Sequence, residues 1–522
     1  MTSITKKNNA SNDTSSSNEK ISIKSNLQDN LQFIKDTLGE STDIIFREIR
    51  IGKDGAIKAG IIYTDGLSDA TSLQNFVLET LMLDIENTEL EENLITTSNL
   101  MNTLKDVALT VGEIKDLINF EDLLTALLSG DAIFLVDGNS KGFIIGNKHW
   151  AERGVTEPTA QSVVRGPREG FSENLRINTA LIRRIIKDPN LWMESKVIGK
   201  RSKTNIAIMY IKDVAKNSVL EELRTRLDSI DIDGILESAN IEELIQDSKY
   251  SPFPTVYNTE RPDSTAASLL EGQIAILIDG TPFVLIVPAL FTQFFQSTED
   301  YYQRSTMASL IRLLRFFAFG ISLLAPGLYV AIITFHHEML PSPLLISLAA
   351  QRENVPFPAF IEVMIMEIAF EILREAGLRM PRVIGAAMSI VGGFVIGTAA
   401  VEAGIISAAM VIVVSLTAIA SFVPPSYDIA IASRMLRFMF IALAAMFGLY
   451  GMTIGLIALI LHLCSLSSFG IPYMTPLAPF IPSAQKDIFI RQPLWKLTTR
   501  PSFLSKNKIR QRYENPKSDK DK

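Results

Sequence analysis

The sequence predicts two kinds of protein in one chain: an α/β soluble N-terminal half of two small subdomains, followed by an α-helical polytopic membrane domain. Three observations carry this. Four stretches, 316–337, 383–402, 403–427 and 438–485, contain no Lys, Arg or Asp, and no Glu except Glu402. Upstream, short apolar runs alternate with charged helical patterns and glycine-containing turns. Hydrophobic residues make up an ordinary 47 % of the whole, so they are concentrated rather than abundant.

Residues 1–28, rich in Ser, Asn, Thr and Lys, bury too little apolar surface to offset the entropy of ordering and read as a disordered tail. They lack the apolar stretch of a secretory signal, which keeps the N-terminal half cytoplasmic. Residues 29–150 read as the first subdomain. Ile44–Ile51 and Ile57–Tyr63 look like strands and Leu73–Ile85 like a helix. A hairpin joins Ala132–Val136 to Gly142–Ile145 through Asp137–Lys141. Residues 151–300 hold a linker and a second subdomain, with a strand at Thr204–Ile211 and helical spacing over Val214–Ile230. A second hairpin pairs Ile274–Ile278 with Pro282–Val287, so the first pattern is expected to recur over 172–290. Such short runs cannot cross a hydrocarbon core of about 30 Å and belong to soluble cores.

Residues 301–485 read as the membrane domain, with spans near 316–334, 383–402, 405–423 and 438–464. Arg312 and Arg315 precede the first span and are expected to snorkel to headgroups on the cytoplasmic side. Pro326 inside that span demands neighbouring helices that satisfy the carbonyl it frees. The stretch 343–375 is apolar yet carries Arg352, Glu353, Glu362, Glu367, Glu371, Arg374 and Glu375. Glu367, Glu371 and Glu375 share one helix face. Two readings fit: an amphipathic or re-entrant helix at the interface or under the bundle, and a carboxylate-lined pore mouth. Val383–Glu402 and Ile405–Val423 form a hairpin turned at Ala403-Gly404. The first arm is rich in small residues and includes Gly393-x-x-x-Gly397, which suits close helix packing and also a ring around a narrow pore. Phe438–Gln485 is too long for one span, contains Gly448, Gly451 and Gly455, and is expected to fold back. The basic tail 486–522 belongs in the cytoplasm. Both ends inside require an even number of crossings, between four and six.

A net charge of −7 with intermixed acids and bases, and no basic stripe, argues against nucleic acid. No phosphate loop, zinc-protease helix or hydrolase elbow occurs, so neither an enzyme nor a cofactor is expected. His336 and His337 are adjacent, point to different faces at a span end, and do not make a metal site. The single cysteine, Cys464, lies in an apolar run where a buried inert thiol is expected. Arg165-Gly166-Pro167-Arg168 is either an anion-binding loop or a folded interdomain linker.

Arg165–Phe171 is followed by Glu173, Asn174 and Asn178, then by Thr259–Asp263 and Glu299–Tyr302. Downstream come Arg352–Pro358, Glu371–Gly377, Val391–Gly393 and Ser468–Tyr473. In this order the blocks resemble the signatures of the A subunits of GerA-type spore germinant receptors, and the likeness runs from about Asp29 to Pro501. The resemblance implies a multi-pass protein of the spore inner membrane, with both termini cytoplasmic and no cofactor. It implies a transporter-like B subunit and a lipoprotein C subunit as partners. It also implies nutrient-triggered release of monovalent cations and then calcium dipicolinate, with the A subunit oligomerising into an ion channel.

On that basis a ring of chains is expected, with helix 383–402 lining the path and Val391, Val395, Gly392, Gly393 and Gly397 forming an apolar gate that closes by dewetting. Glu362, Glu367 and Glu371 would concentrate cations at its mouth. The competing expectations are a non-conducting scaffold and a secondary transporter. Only Glu402 approaches a midplane charge, which counts against the transporter.

Overall fold

The computed structural model describes residues 21–51, 57–75, 114–148, 157–158, 161, 163–380, 397–507 and 509–510. They fall into two units, 1–152 with 186–192, and 153–185 with 193–522.

The first unit contains α1 (Leu27–Leu38), β1 (Ile44–Ile51), β2 (Ile57–Thr64), α2 (Ala70–Asn75), β3 (Ile114–Leu117), α3 (Phe120–Leu128), β4 (Ala132–Val136) and β5 (Gly142–Ile145). Its sheet runs β1-β2-β4-β5-β3, and the expected hairpin pairs Phe134 with Phe143. One face of the sheet presents Ile62, Ile133 and Leu135 to α1 and α3, while the other presents Ile61, Tyr63 and Phe134 beside Leu73 of α2. Burial on both faces explains why β4 is apolar at every position instead of alternating. Of the helix expected over Leu73–Ile85, residues 76–85 lie outside the described residues.

The second unit opens with α4 (Leu175–Ile185), β6 (Leu191–Ile198), β7 (Thr204–Ile211), α5 (Asn217–Asp228), α6 (Ser238–Ile245), β8 (Tyr257–Thr259), α7 (Pro262–Glu271), β9 (Ile274–Ile278) and β10 (Val284–Val287). Its sheet runs β6-β7-β9-β10-β8, which repeats the strand order of the first sheet.

Among the described residues, the α-helices that follow are α8 (Ser305–Phe335), α9 (Ser342–Arg352), α10 (Ala359–Arg379), α11 (Ala408–Ser421) and α12 (Tyr427–Ser465), and residues 397–402 are helical too. Among the described residues, α8 and α12 are long and apolar enough to cross a membrane, and α11 is apolar but only 14 residues long. Helix α8 continues through Pro326. The stretch 343–375 resolves into α9 and α10, separated around Pro356 and Pro358.

Helix α12 reverses direction at Gly448, whose φ of +60° and ψ of −141° are not helical. A Cβ on Gly455 would lie 2.8 Å from Leu443 Cδ1, an approach excluded in a straight helix that rises about 1.5 Å per residue. The arms 427–447 and 449–465 therefore run antiparallel, as the length of the apolar run anticipates. Both their free ends reach the second sheet's subdomain: Asn258 Nδ2 donates to Asp428 Oδ2 at 2.8 Å, and Ser251 Oγ lies 2.9 Å from His462 Nε2. The tip sits at the other end of the bundle, against Phe335 and His336 of the α8 terminus. Leu323, Val330, Val363, Met410, Val414, Phe440 and Leu459 share one core, while Phe317, Ile412, Ile419, Met446 and Leu461 are exposed on its outside. Cys464 is exposed on the second arm, not buried as expected, because its neighbour Leu463 takes the inward position.

Candidate functional site

Three of the separated sequence blocks meet in the second unit. Phe171 N donates to Glu260 O at 2.8 Å, and the buried Arg261 donates to Asp263 Oδ1 and Oδ2 at 3.0 and 2.8 Å. The same guanidinium reaches Pro167 O at 3.0 Å, and Tyr302 OH donates to Asp263 Oδ2 at 2.7 Å. Burial first, and then the Asp263 carboxylate, raises the Tyr302 hydroxyl above its ordinary pKa and keeps it a donor. Gly166, at φ +143°, packs under the Tyr302 ring, where a Cβ would come within 2.7 Å of it. The loop is thus a folded part of the subdomain. Its Arg165 N donates to Glu299 Oε1 at 3.3 Å, while the exposed Arg168 pairs with Glu157 at 3.2 Å. Asn174 caps the start of α4 by accepting from Arg176 N, and the buried Asn178 bonds both N and O of Ser172.

Beside this cluster lies a buried arginine and carboxylate network. Asp300 Oδ2 accepts from Arg312 Nε and Nη2 at 3.1 and 3.0 Å and from Arg315 Nη1 at 2.9 Å. Arg312 Nη1 also reaches the carbonyl of Asp487 at 2.5 Å and its carboxylate at 3.3 Å, and Tyr301 OH donates to that carboxylate. Arg315 further donates to Phe295 O at 3.1 Å. This corrects the expectation that Arg312 and Arg315 snorkel outward: Arg312 is fully buried and Arg315 is 8 % exposed. Two aspartates and three carbonyls take the place of headgroup and water, so the guanidinium charges stay inside. The network fastens the first turns of α8 to the segments around Asp300 and Asp487.

Further along the bundle, each candidate glutamate of α10 meets an arginine. Glu362 Oε1 lies 3.2 Å from Arg352 Nη2, and its Oε2 accepts from Ser407 N at 3.1 Å. Glu367 accepts from Arg437 Nη1 at 2.6 Å, and Arg437 also donates to Ser322 O and Oγ of α8 at 2.7 and 3.0 Å. Glu371 pairs with Arg374 and lies 3.6 Å from Arg434. Glu362 and Glu367 are closed to water, so their charge is cancelled within the chain. Reading the sequence for carboxylates missed Arg434 and Arg437 as their partners. The available signal was two arginines, Arg434 and Arg437, immediately before the apolar run that starts at Phe438.

Val391, Gly392, Gly393 and Val395 lie outside the described residues. Gly397 is described, and a Cβ there would touch Val411 Cγ1 at 3.4 Å, which brings this end of the small-residue segment against α11.

Residues 32–503 match the family described as Bacillus/Clostridium GerA spore germination protein. The chain is 48 % identical over 492 residues to Spore germination protein KA of Bacillus subtilis (strain 168), covering 94 % of this chain and 89 % of that protein. Identity to Spore germination protein B1 of the same organism is 42 % over 494 residues, covering 94 % and 100 %. For Spore germination protein GerLA of Bacillus cereus it is 40 % over 484 residues, covering 93 % and 96 %. Among solved structures, the N-terminal domain of the A subunit of the Bacillus megaterium spore germinant receptor GerK3 is 40 % identical, with a TM-score of 0.42, covering 52 % of this chain and 98 % of that one. With matched blocks, near full-length identity and the family match in agreement, the chain belongs to the Bacillus/Clostridium GerA family of spore germination proteins.

Proposed function

We propose that this chain is a multi-pass A subunit of a nutrient germinant receptor in the spore inner membrane, and that copies of it assemble into a nutrient-gated cation channel. The observation that carries the reading is the placing of charge: the buried carboxylates of α10 are neutralised by arginines of the same bundle, while large apolar side chains cover its outside. That arrangement lets a charged helix sit in hydrocarbon. In this reading α8, α10, segment 383–402, α11 and the two arms of α12 make six crossings, with both termini on the cytoplasmic side. A transporter-like B subunit and a lipoprotein C subunit complete the receptor. Nutrient held by the partner shifts the ring between two packings, which needs a difference in contact free energy and no chemistry in this chain.

The gate is assigned to Val391 and Val395, in the segment 383–402 that the sequence reads as a span. Glu362, Glu367 and Glu371, being paired, fasten α10 to its neighbours and are not proposed to draw cations. Spores carrying Val391→Phe or Val395→Phe at normal protein levels should release potassium more slowly on nutrient addition; unaltered release would remove the gate from this segment. A non-conducting scaffold is the second reading. It is favoured by the same neutralised carboxylates, and conductance separates the two.

A further inference from the structure

A cleft of about 540 Å³ opens between α7, the segments around Thr292 and Tyr301, and the chain after α12. That volume lies in the range of small-molecule and headgroup sites. Its charged lining is Glu271, Asp487, Lys486, Lys496, Arg500 and Arg510, four cations against two carboxylates. Both carboxylates are already engaged, Glu271 by Arg510 at 2.5 Å and Asp487 by Arg312 at 3.3 Å. Lys486 and Lys496 are exposed and, among the described residues, have no carboxylate partner; Lys496 rests over the Trp495 ring. Among the described residues, the cleft therefore carries positive charge that is not cancelled.

Its level in the molecule is fixed by contacts with α8. The Phe489 ring lies 5.0 Å from that of Phe316, and Ser309 Oγ donates to Arg491 O at 3.4 Å. The exposed apolar surface of α8 begins at this level, with Met307 and Leu310. Leu494 lines the cleft, and it and its chain neighbours Ile490 and Trp495 are exposed, a mixture of aromatic and aliphatic side chains with lysines that suits a membrane interface. Basic pockets at the cytoplasmic end of membrane helices recognise anionic headgroups.

We propose that this cleft holds the headgroup of an anionic phospholipid, whose acyl chains lie along the exposed apolar surface at the start of α8. The site rests on the reading of this half as membrane-spanning. The headgroup phosphate meets Lys486 and Lys496, and the Trp495 ring sits at headgroup depth.

The test uses the purified full chain in a zwitterionic detergent, titrated with phosphatidylglycerol, phosphatidylcholine or glycerol 3-phosphate, with bound lipid read by native mass spectrometry. Phosphatidylglycerol should bind preferentially, and Lys486→Gln with Lys496→Gln should weaken its binding roughly thirtyfold, at about 1 kcal/mol per lysine, while leaving phosphatidylcholine retention unchanged. Both lysines are exposed, so an unchanged Tm checks the fold. Equal retention of the two lipids, or insensitivity to the double substitution, would overturn the site. Complete displacement of phosphatidylglycerol by glycerol 3-phosphate at the same concentration would overturn it in favour of a free phosphate ligand. Alkaline carbonate extraction of vesicles keeps the two claims apart: a chain that stays in the membrane without lipid preference sinks only the headgroup site, and a chain that is released sinks the membrane reading with it.

Discussion

Asp300 holds two guanidinium groups with one oxygen, at 2.9 to 3.1 Å, in a place that water does not reach. Replacing it by Asn leaves Arg312 and Arg315 with one counter-charge between them, the partly exposed Asp487. Asp300→Asn should therefore cost about 3–5 kcal/mol, visible as a large fall in the Tm of the full chain and in the amount that accumulates in spore membranes. A variant as stable as the wild type would show that the network contributes little to the fold. Glu242 offers a second test. Burial, and next the Asp428 carboxylate, pushes its pKa from 4.5 up to about 7. Because the folded chain favours the protonated form, this stabilisation is complete below the ordinary value and is lost as pH rises towards 7. Glu242→Gln should leave Tm unchanged near pH 4.5 and raise stability by about 1–2 kcal/mol at pH 8; curves that run parallel across that range would contradict the assignment. At this scale the sequence was legible in kind and not in partnership. Arg312, Arg315 and the α10 glutamates stand out as charges beside apolar runs, but their mates Asp300, Asp487, Arg434 and Arg437 are distant in the chain, and only the tertiary fold joins them.

The strands were read more successfully, since they depend on local pattern. Thr204–Ile211 and both hairpins follow from apolar runs punctuated by glycine-containing turns. The fold-back followed from length, because the apolar run 438–485 exceeds one membrane thickness, but the single span expected at 438–464 is broken by the reversal at Gly448. Its turning point was not legible, as Gly448, Gly451 and Gly455 look alike in sequence. The structure separates them: Gly448 alone of the three has positive φ, and its Cβ would lie 2.7 Å from His336 Cε1. Gly448→Ala should cost about 1–3 kcal/mol from backbone strain before any clash. By contrast Gly320→Ala, on α8 with open space around it, should be neutral or stabilise by about 0.5–1 kcal/mol. Thermal unfolding of the two variants side by side checks the contrast, and equal behaviour would argue against the reversal. The amphipathic stretch 343–375 was read as one segment because its charges obscured the break. Pro356 and Pro358 between α9 and α10 were the available sign of two helices.

At the scale of the whole molecule, two sheets of the same strand order in the N-terminal half are followed by a helical part with two long apolar helices, in the order that the sequence predicts. The proposed six-crossing path makes a direct prediction about sidedness. In a Cys464→Ser background, Glu338→Cys at the end of α8 should react with a membrane-impermeant maleimide from the face opposite to Ser502→Cys near the C-terminus. Labelling of both from one face would break the topology. The central claim, that this A subunit conducts, is tested most directly by ionic current through the purified full chain in planar bilayers, wild type against Val391→Phe and Val395→Phe. The account predicts cation-selective current from the wild type that both substitutions abolish; silence from well-folded oligomers, or current that the substitutions leave untouched, would contradict it.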